Sequence, residues 1–162
     1  MKRQCHFAAR IAFLLLGAVA FPLPAHAEDQ LLPLMARVIE HGEAVAQTSS
    51  ACGDRTFLAQ NQSYCSNLAS ILYQTGSLSK SLGYLGTIRQ LVPYLSHPEG
   101  LAIAERRFAA ERAATLHIAR GYVETIYKML EHSTDGRLSV HLSRTAILFA
   151  DASRALSELG LR

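Results

Sequence analysis

The chain has 162 residues, 16 Lys and Arg against 13 Asp and Glu, and 49% hydrophobic residues. That is about one domain's worth of chain, long enough to bury a core without relying on disulfides. Lys2, Arg3 and Arg10 all fall in the first 27 residues, which carry no acidic residue, so the remainder balances 13 basic against 13 acidic residues (16 − 3 = 13). It has no basic run, so nucleic acid is not an expected partner.

Met1 to Ala27 reads as a secretory signal peptide. The basic start precedes an apolar run from Ile11 to Phe21, too short for a stable membrane span. Pro22 and Pro24 break it, and Ala25-His26-Ala27 has the small-residue form of a cleavage site. The mature chain is expected to begin at Glu28, as a single helical-bundle domain over 28–162, periplasmic or secreted, without a membrane anchor.

Cys5 leaves with the leader, and Cys52 and Cys65 remain, an even number in an oxidising compartment, so they are expected to form a disulfide. The bond limits the fold. In one continuous helix the two residues would stand roughly 15–20 Å apart at the helical rise. A disulfide needs Cα atoms within about 7 Å. The first helix, Gln30 to Ser49, should therefore end near Cys52, with Gly53 as a cap or turn residue. Pro33 fits its first turn, and Leu31, Leu34, Met35, Val38 and Val45 form its inner face. The second helix should start near Gln60 and run to about Gln74, with Tyr64, Leu68, Ile71 and Leu72 inward.

Thr75-Gly76-Ser77 reads as a break, followed by a third helix from Leu78 to about Leu91 that Pro93 ends. Gly83 and Gly86 in it would allow a neighbouring helix to come close. The longest helix is expected from Ser96 to His132. Ser96 and Glu99 have the spacing of a capping box, and Pro98 suits a first turn. Leu101, Ala104, Phe108, Thr115, Ile118, Tyr122, Ile126 and Met129 recur at helical steps. Leu116, Ala119, Val123, Tyr127 and Leu130 add a second stripe, so the C-terminal half should be buried on two sides. Gly121 is the expected place for a bend. Ser133 to Gly136 reads as a turn. The last helix, Leu138 to Leu159, carries a strict seam of Leu138, Leu142, Thr145, Phe149, Ala152, Leu156 and Leu159, with Gly160 as its cap. The fold expected is all-α: a four- to five-helix antiparallel bundle with one disulfide-stapled helix–loop–helix.

Chemistry-bearing motifs are scarce. His41, His97, His117, His132 and His141 show neither Glu-x-x-His nor His-x-x-x-His spacing. His117 and Glu124 share a helix face with Arg120 between them, a pattern more typical of a core or surface histidine than of a metal ligand. Ser77-x-x-Lys80 matches a motif of penicillin-recognising enzymes, but no S-D-N or K-T-G follows. No catalytic residue, metal or cofactor is assigned, and the protein is not expected to be an enzyme. The expected function is protein binding, as an accessory, inhibitor or immunity-type protein, with a second copy of the chain among the partners left open. Tyr73, Tyr84, Arg89 and Tyr94 are the candidate contact residues, because tyrosine is favoured at interfaces. The alternative is a carrier of a hydrophobic or haem-like ligand lined by Phe108, Ile118, Tyr122 and Phe149.

Overall fold

A computed structural model describes residues 31–161. The leader and its cleavage site lie outside the described residues. Five α-helices follow in order: α1 Leu31–Ser49, α2 Arg55–Gln60, α3 Gln62–Leu91, α4 Pro98–His132 and α5 Gly136–Glu158. There is no strand among the described residues. Apart from the short α2, the helices form an up-down-up-down antiparallel bundle. The most extensive packing is α4 on α5 and α1 on α3, and these two hairpins meet along α1–α5 and α3–α4.

α5 follows its seam without exception. Leu138, Leu142, Thr145, Phe149, Ala152, Leu156 and Leu159 are all buried. Asp135 starts the helix by accepting from the backbone N–H groups of Arg137 and Leu138. Such a cap satisfies donors that have no partner inside the helix.

The disulfide forms as expected, with Cα atoms 5.7 Å apart. Its surroundings are more structured than a loop. A short 3-10 turn spans Ser50–Gly53, and Asp54 then caps α2 by accepting from the N–H groups of Thr56 and Phe57. α3 begins at Gln62 rather than near Gln60. No described glycine has a positive φ, so neither Gly53 nor Gly160 acts as a left-handed cap.

The expected break at Thr75-Gly76-Ser77 does not occur, and α3 runs unbroken for 30 residues. Leu68, Ile71, Leu78, Leu82 and Leu85 are buried on its inner side, before and after Gly76. Burial at about 1.5–3 kcal/mol per large side chain outweighs the roughly 1 kcal/mol helix penalty of a glycine. Thr75 is also buried, and its hydroxyl donates to the Ile71 and Leu72 carbonyls, so it needs no turn to satisfy it.

The glycines of α3 do not mark close approaches. A Cβ on Gly76 or Gly86 would meet nothing within 4 Å, and one on Gly83 would meet Met35 Sδ at an ordinary 3.8 Å. Gly76→Ala and Gly86→Ala are each expected to raise stability by about 0.5–1 kcal/mol, seen as a higher urea midpoint with an unchanged slope. A lower midpoint for either would contradict the packing described.

α4 begins at Pro98, with His97 as its N-cap and no side-chain capping bond, so the Ser96–Glu99 box does not form. His97 precedes a proline and is held extended, so Pro98 sets the helix entry one residue later than the motif suggests. The helix then runs unbroken through Gly121 for 35 residues. Its buried line is Phe108, Thr115, Ala119, Tyr122 and Ile126. Of the two expected stripes, Ile118 and Tyr127 are exposed, while Leu116, Val123 and Leu130 pack partly buried against the core beside buried Ala119. The Arg112 guanidinium donates to the Leu159 carbonyl at 2.7 Å, which places the end of α5 near Arg112. The turns of α4 from Pro98 to Glu111 therefore extend past α5, towards the turn that joins α3 to α4.

Candidate functional site

Tyr73, Tyr84 and Tyr94 are 73%, 44% and 70% exposed, so none is anchored in the core. Successive residues of an α-helix turn by about 100°. By that geometry Tyr73, Ser77, Lys80, Tyr84, Thr87 and Leu91 fall within about 40° of one line along α3. All six are exposed, and they form one outward stripe. It is about 27 Å long at the helical rise. Tyr94 continues it in the 3-10 turn Val92–Tyr94. Arg89 does not belong to the stripe. It lies about 140° round the helix from Tyr84 and is half-buried. Lys80 and Leu91 take its place, and the signal for both was present in the sequence, seven residues after Tyr73 and seven after Tyr84.

A second cluster joins residues that no spacing rule links. His41 of α1 is buried, and its Nε2 lies 2.8 Å from the Thr145 hydroxyl of α5. Thr145 already donates its proton to the His141 carbonyl at 2.7 Å. His41 must therefore be the donor, with its proton on Nε2. The rings of His41 and His141 are 6.3 Å apart, and His141 Nδ1 is buried without a hydrogen-bond partner. Burial, then the neighbouring His141 and Arg144, push His41 down to about 4. Burial and Arg144 also lower His141. His41 is thereby held in its neutral form with its Nε2 proton committed to Thr145, and the two rings form a contact between α1 and α5. Nowhere among the described residues do three His, Cys, Asp or Glu side chains converge. His117 is exposed on α4.

The residues considered for a ligand chamber do not enclose one. Tyr122 and Phe149 have ring centroids 4.9 Å apart, Phe108 is buried and Ile118 is 51% exposed. The space beside Phe149, Ile118 and Ala119 is about 10 Å³. That is room for one water, not for a hydrophobic or haem-like ligand. A larger open groove, about 520 Å³, lies at the end of the bundle where α4 turns into α5.

No known protein family, curated protein or solved structure matches this chain. The disulfide fits an oxidising, extracytoplasmic location. No described helix is long and apolar enough to cross a membrane.

Proposed function

We propose that this is a small exported protein, periplasmic or secreted, that acts by contact with a protein partner through the outer face of α3. The observation that supports this reading is the alignment of Tyr73, Tyr84 and Leu91, with Tyr94 beyond them, on one solvent-facing stripe. A bundle's outer face is ordinarily polar. Three tyrosines and a leucine spaced by Ser77, Lys80 and Thr87 instead offer rigid, amphipathic contact area with a polar margin.

The test places a photo-crosslinking amino acid at Tyr84 and, as a control, at exposed Glu43 on α1. Expression in an exporting bacterium should give a discrete crosslinked product at Tyr84 and none at Glu43. Adding Tyr73→Ala and Tyr94→Ala should reduce that product at least about tenfold, as expected for the loss of interface anchors worth 1 kcal/mol or more each. Equal crosslinking at both positions would remove α3 as the contact face.

A further inference from the structure

The groove of about 520 Å³ is in the size range of small-molecule sites. It lies between the first turns of α3, the last turns of α4 and the turn into α5. Its floor is apolar, formed by Tyr64, Met129 and Leu138. Its charged lining is Lys128 and the Asp135 carboxylate. Lys128 and His132 stand four residues apart on one face of α4. The Arg137 guanidinium lies over the Tyr64 ring, 4.9 Å from its centre, and pairs with Asp135 at 3.0 Å, which leaves the groove a net positive charge at Lys128.

Asp135 is the one acidic residue lining the groove. Its carboxylate is already engaged: Oδ1 accepts from the backbone N–H groups of Arg137 and Leu138, and Oδ2 accepts from Arg137 Nη2 at 3.0 Å. The Arg137 side chain, helped by those backbone bonds, holds the Asp135 carboxyl below its usual range. It therefore stays ionised, with its charge offset by Arg137 within its own helix cap.

His132 is also oriented. Its Nδ1 lies 2.7 Å from the Lys128 carbonyl. A carbonyl can only accept, so Nδ1 carries the proton and Nε2 is left for another partner.

We infer that this groove binds a small anion carried on an apolar body, a carboxylate or a phosphate monoester. Lys128 holds the charged end, and Tyr64 and Met129 receive the body. The site is separate from the α3 face, and its test does not depend on any protein partner.

The experiment is an NMR titration of the mature, oxidised chain with benzoate, phenyl phosphate, inorganic phosphate and, as a neutral control, benzyl alcohol. Benzoate and phenyl phosphate should give saturable shifts confined to the groove, at Asn67, Lys128, His132 and their neighbours. Inorganic phosphate should bind about tenfold more weakly than phenyl phosphate, the equivalent of about 1.4 kcal/mol from the apolar floor. Lys128→Gln should weaken both aromatic anions about tenfold, as expected for a lost charge-assisted contact. The Lys128 side chain is exposed, so the fold is not at stake in this variant. No saturation at tens of millimolar, saturation by benzyl alcohol with equal affinity, or unchanged binding in Lys128→Gln would overturn the site. Equal affinity for inorganic and phenyl phosphate would overturn the apolar body.

Discussion

Replacing Cys52 and Cys65 together by alanine is expected to lower the unfolding free energy by about 3 kcal/mol. The two residues are 13 apart in sequence, and the bond closes the segment that holds the 3-10 turn and α2. In the chain-entropy account, opening a loop of that size returns this much freedom to the unfolded chain. The effect in the folded state should be local. α2 has six residues, too few to be stable alone, and apart from the disulfide it is supported by the Asp54 cap and by Phe57, which packs edge-on against Tyr64. Amide exchange should therefore rise first in residues 50–61, while Leu82, Phe149 and Leu156 keep their protection. Reducing the unaltered protein should give the same loss in urea, which separates the bond from the sulfur atoms' packing. A change below about 1 kcal/mol by both routes would contradict the role given to the staple.

Acidification should destabilise the protein between pH 6.5 and 4. His41 titrates near 6.5 when unfolded but is pushed down to about 4 by its burial, by His141 and by Arg144. Its neutral form is the one the fold holds. Its contribution is thus fully present above 6.5 and is lost as the pH falls towards the folded value, because the unfolded chain binds the proton first. The loss is on the order of 2–3 kcal/mol by pH 4. His141 is lowered too and adds to the slope in the same direction. His41→Leu should flatten most of that slope. Thr145 can keep its donation to the His141 carbonyl in this variant, so no donor is stranded. Urea midpoints at pH 7, 5.5 and 4 for both proteins are the check. A slope as steep in His41→Leu as in the parent would assign the acid sensitivity to other groups.

These two effects were unequally legible in the sequence. The disulfide and its constraint on the helices follow from two cysteines and a helical rise. The all-α bundle follows from periodicity, and α5 is the clearest case because each residue of its seam steps by three or four. The continuity of α3 was hidden, because Gly76 carries a local penalty while the burial on either side of it is a tertiary quantity. In α4 the neighbours Ile118 and Ala119 both fit a helical step, and only the packing on α5 and α3 selects Ala119. The Ser96 box lost to the stiffness of Pro98. The His41–His141 pair was out of reach, since it joins α1 to α5; its one trace is that His41 falls on the Leu34–Val38–Val45 face. On α3, Tyr73 and Tyr84 could be aligned from their numbers alone. The same arithmetic, applied strictly, moves Arg89 off the face and brings Lys80 and Leu91 onto it.

The α3 face is tested most directly by native mass spectrometry of the protein recovered from the periplasm, run beside its Tyr73→Ala/Tyr84→Ala/Tyr94→Ala variant and beside a denatured sample. The expected result is a mature chain beginning at Glu28, lighter by two hydrogens for the Cys52–Cys65 bond, that carries a second polypeptide in the unaltered protein and loses it in the variant. A second polypeptide retained in full by the folded variant, or a chain that carries a small molecule and no polypeptide, would contradict a protein contact through that face.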